Sequence, residues 1–275
     1  QLFIRDFSYT ETMQSDVLAA VDRCDGTVGA SVKITAHDYF PEFPENPAAR
    51  HVASPVILEF EAFGEHMGWG GIPNCRVDEF RRRMFGYRDI GAVGFLMRIS
   101  WEAISGESAL DSLSAVNVFA LPRLTDKDTD ANGLVMDWLA QEFGVTGEIA
   151  TRAADLMRRS WAIPAAAYWN GMVFPRHSCL PSTWQEGWLS MQSNGMGRRD
   201  RDLGISPNDP LLSEESRITL FEIKEKSTVL ARELAREAAI LAQDLPPPVA
   251  ELFSSFRWLP VFARQFELAT KATYH

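Results

Sequence analysis

Four short apolar segments near the start of the chain alternate with stretches whose apolar residues recur at helical spacing. Such alternation is typical of parallel strands, because a parallel connection must cross back over the sheet, usually as a helix. The predicted strands are residues 2–7, 31–37, 55–62 and 93–100. We therefore expect an α/β fold in which residues 1–125 form part of a (β/α)8 barrel with about four strands.

Beyond residue 125 the apolar pattern is helical, which predicts an all-α domain over residues 126–275. Pro164 and the Pro246–Pro248 run are expected to end or kink helices, because proline lacks a backbone donor. Residues 171–213 are rich in Gly, Pro, Ser and Trp and show no period. The predicted helices are residues 134–143, 148–161, 216–243 and 258–271.

The charge balance argues against nucleic acid as a partner. Lys and Arg total 27 and Asp and Glu total 37, which gives a formal net charge of −10. A nucleic-acid-binding protein usually carries a basic patch or stripe. The basic clusters Arg81–Arg83 and Arg198–Arg199 are interleaved with acids, so we interpret both as solvent-exposed surface.

The cysteines and the hydropathy pattern bear on the compartment. Cys24, Cys75 and Cys179 fit no CxxC or zinc-binding spacing and are expected to be reduced, buried thiols. No apolar run approaches the ~18 residues that a membrane helix needs, so we expect no membrane partner. These features favour a cytoplasmic or periplasmic location. The long helix at 216–243 has charged faces that suit either an exposed bundle helix or a homodimer contact.

Charged and aromatic residues cluster after the predicted strands, where β/α barrels carry their functional side chains. Carboxylates perform proton transfer, cations bind anionic groups, and aromatic faces pack against sugar rings. This combination predicts a sugar-binding site with an oligosaccharide substrate. Its candidate residues are Arg5 and Asp6 after the first strand, Lys33 and Asp38 in and after the second, Glu59, Glu61, Glu65 and Trp69 in and after the third, and Arg98 and Trp101 in and after the fourth.

Each candidate also has a structural interpretation. Asp38 precedes an aromatic-proline turn that it would cap, and Trp69 and Trp101 would serve as core aromatics. Glu59 and Glu61 alternate with apolar residues, which favours structural ion pairs for both. His37 and His66 flank the acids, but their spacing matches no common zinc motif, so we expect neither a metal nor a cofactor.

Several segments, in the same order and at similar spacing, resemble the α-glucuronidases of glycoside hydrolase family 67. Residues 4–7, Ile-Arg-Asp-Phe, resemble the family's Tyr-Arg-Ala-Phe strand, and Lys33 precedes Asp38 by five residues as in its next strand. Residues 59–68 keep both glutamates and the final glycine of Glu-Leu-Gln-x-x-Gln-Glu-Tyr-x-Gly. Residues 100–101 and 117–124 resemble the family's Asn-Trp and Asn-x-x-Ala-x-Gly-Arg-Leu segments.

The resemblance implies an inverting hydrolase that removes a terminal uronic acid from a plant-type oligosaccharide. It implies that Asp38 and Glu65 together activate the hydrolytic water, and that Arg5 and Lys33 bind the uronate carboxylate. A guanidinium fork and an ammonium group converging on a carboxylate supply charge-assisted hydrogen bonds, so the implied roles are chemically consistent. In an inverting enzyme, acid and base carboxyl groups stand roughly 6.5–9.5 Å apart, which leaves room for water.

The resemblance also places the family's general acid on a strand upstream of the first matched one, outside these 275 residues. Four strands cannot close a barrel that needs eight. We therefore expect an N-terminal barrel half, contributed either by a longer chain or by a partner chain.

Two alternatives to this function remain open. The same acids would suit a barrel glycosidase that acts on a neutral sugar, in which case Arg5 and Lys33 are expected to pair with Asp6 or Glu59. The other alternative is a non-catalytic carbohydrate-binding or assembly module, which predicts no cleft containing both Asp38 and Glu65.

Overall fold

A four-stranded, curled parallel sheet forms the first part of the chain, and helices cover one of its faces. The computed structural model describes residues 2–6, 11–24, 26–35, 39, 41, 45–64, 71–100, 108–126, 129–168 and 214–274. The strands are β1 (Leu2–Arg5), β2 (Val28–Lys33), β3 (Val56–Glu61) and β4 (Gly94–Arg98), in the spatial order β1-β2-β3-β4. An α/β partial barrel is compatible with this sheet.

Helices connect the strands and then make up the rest of the described chain. Helix α1 (Glu11–Asp22) joins β1 to β2, and α2 (Val77–Gly86) lies between β3 and β4. The C-terminal region is helical, as predicted. Its helices are α3 (Ala115–Ala120), α4 (Ala131–Phe143), α5 (Gly147–Ser160), α6 (Ala162–Tyr168), α7 (Glu214–Leu241), α8 (Pro247–Phe253) and α9 (Leu259–Tyr274).

Alternation along the strands separates an apolar face from a polar one. Leu58 and Phe60 of β3 point into the core, where the Phe60 ring meets Phe80 of α2 edge-on at 5.1 Å between centroids. Each fully buried side chain of this kind stabilises the fold by about 1.5–3 kcal/mol. Residues 59 and 61 necessarily point to the opposite face, because side chains alternate along a strand.

One apolar cluster runs from the helix-covered side of the sheet into the helical region. It includes Val32 of β2, Trp138 of α4, Leu234 of α7 and Phe266 of α9. Helices α7 and α9 pack along each other within it. The division of the chain at residue 125 stays a prediction.

The prolines lie where one helix has ended and the next begins, which agrees with the predicted helix breaks. Helix α5 ends at Ser160, and Pro164 occupies the first turn of α6, where a backbone donor is not required. Helix α7 ends at Leu241, and α8 begins at Pro247. Between α4 and α5, Gly144 adopts the left-handed conformation with φ 69°, which terminates α4.

Candidate functional site

A polar cluster lies at the carboxyl ends of the four strands, on the face away from the helices. The parallel registers pair Arg5 with Ser31, Lys33 with Glu59, and Glu61 with Arg98. Because all four strands run in the same direction, these side chains collect at one edge of the sheet. The sequence prediction of Arg5, Lys33 and Arg98 at one edge is consistent with these registers.

Glu59 is the hydrogen-bonding centre of this cluster, and it is 3% exposed. Its carboxylate accepts hydrogen bonds from Arg5 Nε at 2.8 and 3.0 Å, from Ser31 Oγ at 2.6 Å and from Tyr39 OH at 2.8 Å. Arg5 Nη2 also donates to Tyr39 OH at 3.2 Å. Side chains from β1, from β2 and from the connection that follows β2 therefore converge on the Glu59 carboxylate.

The electrostatics of the Glu59 cluster keep its donors protonated. Burial would lower the pKa of Arg5, but the hydrogen bonds and charge interactions with Glu59 and Tyr39 together outweigh it and raise the pKa above its ordinary value. Burial, followed by the charge of Glu59, raises the pKa of Tyr39 well above its ordinary value. Tyr39 is thus a neutral hydroxyl that donates to Glu59 throughout the physiological range.

Lys33 extends the cluster toward β2. Its Nζ lies 5.2 Å from the centroid of the Tyr39 ring, a cation–π distance. Tyr39 therefore contacts two cations, with its hydroxyl toward Arg5 and its ring face toward Lys33. These contacts place both predicted cations around a single aromatic ring.

A second set of buried charges lies behind the carboxyl end of β3. Glu79 of α2 accepts from Arg76 Nε and from Arg83 Nε, each at 2.7 Å. Burial alone would raise the pKa of Glu79, but the two guanidinium groups lower it below its ordinary value. Arg76 Nη1 donates to the Glu61 carbonyl at 3.0 Å and lies 3.9 Å from the Glu61 carboxylate.

Arg98 lies on the other side of Glu61. Its Nη1 is 4.0 Å from Glu61 Oε1, at the limit of an ion pair. The Arg98 side chain is 19% exposed, while Glu61 is 1% exposed. The interpretation of Glu59 and Glu61 as structural ion-pair partners is consistent with these distances.

Asp6 follows β1 and is 4% exposed. Its Oδ2 accepts a hydrogen bond from Gln14 Nε2 of α1. Its backbone N–H donates to the Ser31 carbonyl at 2.9 Å, continuing the β1–β2 ladder by one residue. Asp6 therefore fixes the end of β1 against α1.

Four of the predicted site residues, Asp38, Glu65, Trp69 and Trp101, lie outside the described residues. His37 and His66 lie outside them as well. Arg5, Lys33 and Arg98 are described, and each contributes a cation to the polar face. Arg5 pairs with Glu59, which is the arrangement expected for a neutral-sugar glycosidase.

Two predictions about individual residues were wrong. Arg83 is not on the surface: it is 1% exposed, because Glu79 one turn earlier on α2 supplies a buried charge partner. Cys24 is an exposed free thiol after the end of α1, whereas Cys75 is buried as expected. Burial raises the pKa of Cys75 to about 12, which keeps it an unreactive thiol.

Sequence reasoning missed the structural roles of Tyr39, Arg76 and Glu79. The spacings Arg76–Glu79 and Glu79–Arg83 are the i,i+3 and i,i+4 pairs of a helix, and they were a usable signal. Nothing local marks Tyr39 as a partner of Glu59, because the contact joins residues 20 positions apart.

The described part of the chain contains no group of three or more His, Cys, Asp or Glu side chains placed to hold a metal ion. Within the same residues, no helix combines the length and the apolar character needed to cross a membrane. No protein-family model and no curated protein matches this sequence.

Proposed function

We propose that the protein is a glycoside hydrolase of the α-glucuronidase type, which removes a terminal uronic acid with inversion. The observation that carries the proposal is the gathering of Arg5, Lys33 and Arg98 at the carboxyl ends of adjacent parallel strands. Three cations on one polar face suit a carboxylate-bearing substrate, even in a chain with a net charge of −10. The resemblance of residues 4–7 and 59–68 to the family supports the same chemistry.

In this proposal Arg5 and Lys33 bind the uronate carboxylate. Glu59 and Tyr39 hold the Arg5 guanidinium in one orientation, while 46% of the Arg5 side chain stays exposed. A guanidinium fixed in advance loses less entropy on binding than a mobile one. The pairing with Glu59 therefore orients Arg5 for a second carboxylate.

The reaction itself is assigned to Asp38 and Glu65, which together activate a water molecule for attack on the anomeric carbon. Trp69 and Trp101 are proposed to pack against the sugar rings, and Arg98 to contact the substrate beside them. The proton for the leaving group comes from a residue on the N-terminal barrel half, which a longer chain or a partner chain supplies.

Two observations support an added barrel half. Among the described residues, β1 and β4 each pair with a single strand, and Leu2 of β1 and Leu96 of β4 are 60% and 51% exposed. Exposed edges and apolar side chains of this kind are usually covered in native sheets. Intact-mass analysis of the natural protein tests this: a folded, monomeric natural product of these residues alone would contradict it.

The Arg5–Glu59 pair also favours a second candidate, a barrel glycosidase that acts on a neutral sugar. In that enzyme the pair would neutralise Arg5 and serve to shape the pocket. The carboxylates proposed for water activation would stay the same, and the carboxylate-binding role of Arg5 and Lys33 would be lost.

The deciding experiment compares hydrolysis of aldouronic acids with hydrolysis of matched neutral oligosaccharides by the full-length protein. Release of a uronic acid from the former alone supports the proposed function. Hydrolysis of the neutral sugars alone selects the second candidate. Oligosaccharide binding without any hydrolysis would instead point to a carbohydrate-binding module.

A further inference from the structure

We propose that Tyr87 and Asn117 are positioning residues that fix the two chain connections leaving β2 and β3. Each side chain binds backbone groups at both ends of one connection. The consequence for activity rests on the proposed function, because that function assigns Asp38 to the first connection and Glu65 to the second. The clamping itself is a property of the described residues alone.

Tyr87 closes the connection that follows β2. Its hydroxyl donates to the Ile34 carbonyl at 2.6 Å and accepts from the Asn46 N–H at 2.5 Å. Ile34 comes just before the connection and Asn46 just after it, and an antiparallel bridge between Thr35 and Glu45 lies beside them. One hydroxyl therefore ties together positions 12 residues apart in the chain.

The surroundings of Tyr87 keep this hydroxyl in place. The residue is 2% exposed and follows directly after α2, so its ring is held by the core. Burial raises its pKa above the ordinary value, and the hydroxyl stays protonated and able to donate. Arg50 covers the ring, with its guanidinium carbon 5.8 Å from the ring centroid.

Asn117 of α3 closes the connection that follows β3. Its Nδ2 donates to the Ala62 carbonyl at 3.3 Å and to the Asn74 carbonyl at 2.6 Å. Its Oδ1 accepts from the Arg76 N–H at 2.8 Å. The Asn74 side chain adds a further hydrogen bond to the Ala62 carbonyl at 3.3 Å.

The Asn117 amide is fully buried, and its three hydrogen bonds use both of its ends. Ala62 directly follows β3, whereas Arg76 directly precedes α2 and Asn74 lies two residues before Arg76. The amide thus brings the start and the end of the connection together at its base. An amide with three such bonds is costly to replace, because the Asn74 carbonyl and the Arg76 N–H would lose these hydrogen bonds, while the Ala62 carbonyl would keep only the one from the Asn74 side chain.

The hydrogen bonds of Tyr87 form one clamp and those of Asn117 form the other, and both clamps connect to the polar cluster. The first connection contains Tyr39, whose hydroxyl donates to Glu59. The second begins one residue after Glu61, whose carbonyl binds Arg76. Moving either connection would displace the groups that surround Arg5, Lys33 and Arg98. A shift of about 1 Å at such a site is enough to lower a rate by about 100-fold.

The test uses Tyr87→Phe and Asn117→Leu, which keep the size of each side chain and remove its hydrogen bonds. Thr228→Val is the control, because it removes a buried hydrogen bond to Glu267 in the α7–α9 pair, which is remote in sequence from both connections. Hydrogen–deuterium exchange is measured on the full-length protein. We expect faster exchange confined to residues 34–46 in the first variant and to 62–76 in the second.

The control variant should change exchange only around α7 and α9. Exchange that is unchanged, or raised uniformly, in the Tyr87 and Asn117 variants overturns the proposal. If Asn117→Leu does not fold, Asn117→Asp keeps the acceptor for Arg76 and tests the loss of the two donors. This measurement needs no substrate, so it decides on the clamps even where the proposed function fails.

Steady-state kinetics then distinguish a positioning role of Tyr87 and Asn117 from a role in stability alone. On a uronic-acid substrate we expect kcat to fall by about 10-fold or more in each clamp variant, with KM nearly unchanged and a shifted pH profile. Thr228→Val should leave kcat, KM and the pH profile unchanged. A loosened connection with unchanged kcat in an active enzyme would overturn the positioning role.

Discussion

Arg5 and Glu59 form an ion pair although their strands are not neighbours in the sheet. Arg5 Nε lies 2.8 Å from Glu59 Oε2, and the pair spans β2 above Ser31. Ser31 makes this possible because its side chain is small and its hydroxyl donates to the same carboxylate at 2.6 Å. The strand ends are therefore joined by side chains as well as by the backbone ladder.

Glu59→Gln is expected to lower the free energy of unfolding by about 1–3 kcal/mol, because the amide cannot accept all the hydrogen bonds that the carboxylate accepts. The change is measured by urea unfolding. Glu222→Gln is the matched control, since Glu222 forms an exposed pair with Lys226 at 3.1 Å. Exposed helical pairs contribute only about 0.3–0.5 kcal/mol, so equal losses in the two variants would contradict the central role of Glu59.

Asp38→Asn and Glu65→Gln are expected to reduce kcat on the natural substrate by about 10²–10⁴-fold, the usual cost of a lost acid or base. Both variants should keep the circular dichroism spectrum and unfolding midpoint of the unsubstituted protein. Asp137→Asn, at an exposed position of α4, is the control and should leave kcat unchanged. Most activity remaining in either variant would remove that residue from the mechanism.

Lys33→Gln is expected to raise KM for uronic-acid substrates by about 10-fold or more, because it removes a charge-assisted hydrogen bond to the carboxylate. Arg5→Ala should raise KM as well, and it should also lower stability because Glu59 loses its cation. Lys226→Gln, whose side chain is 76% exposed, controls for the loss of a positive charge. An unchanged KM in Lys33→Gln would transfer the carboxylate-binding role elsewhere.

The lowered pKa of Glu267 in α9 predicts that the protein loses stability as the pH falls into the acid range. Burial opposes ionisation, but hydrogen bonds from Lys271, Thr228 and Arg264 outweigh it and lower the pKa of Glu267 to about 2. The folded pKa lies below the unfolded one, so the stabilisation is complete above the ordinary value of 4.5 and is lost as the pH falls toward 2.

Denaturant unfolding of the unsubstituted protein and of Glu267→Gln, measured between those pH values, checks this prediction. The difference between the two should shrink as the pH falls. Glu251→Gln, at an exposed position of α8, should show no such convergence. A constant difference across the range would contradict the pKa assigned to Glu267.

The lowered pKa of Lys224 in α7 predicts a second rise of stability with pH, on the alkaline side. Its Nζ donates to the carbonyls of Ala166 and Ala167 at 2.6 and 2.5 Å, at the C-terminus of α6. Burial lowers the pKa of Lys224 to about 7 from an ordinary 10.5. Since the unfolded chain binds this proton more tightly, stability should rise as the pH increases from about 7 toward 10.5.

Lys224→Met removes this titration. Urea midpoints measured between pH 7 and 10 should therefore rise for the unsubstituted protein relative to the variant. Lys226→Gln serves again as the exposed control on the same helix. A parallel pH dependence in Lys224→Met and the unsubstituted protein would show that Lys224 does not titrate in this range.

The strands were predictable where the apolar runs were long. The third was predicted at 55–62 and is Val56–Glu61, whereas the second was predicted at 31–37 and is Val28–Lys33. Its first residues include Gly29, which carries no hydrophobic signal. A Cβ there would come within 2.5 Å of the Phe3 ring and the Pro55 carbonyl, so only close packing between strands explains the glycine.

The polar cluster was predictable in part. Strand-end position identified Arg5, Lys33 and Arg98, because parallel strands bring their carboxyl ends to one edge. Register and long-range contacts were beyond the sequence. The Arg5–Glu59 pair was expected only under the neutral-sugar alternative, and the hydrogen bonds of Tyr87 were not foreseen. The Asn117 clamp had a signal in the Asn-containing segment at 117–124, but nothing in that segment indicated its partners.

The guanidinium of Arg76 lies between Phe80 of α2 and Trp161 after α5, at 5.0 and 4.9 Å from the two ring centroids. The same group binds the Glu61 carbonyl at the end of β3. A chimera that exchanged the helical region for another would leave this cation without one of its aromatic neighbours. A graft therefore has to transfer Arg76 and Trp161 together, because the Arg76 side chain joins the end of β3 to the helical region.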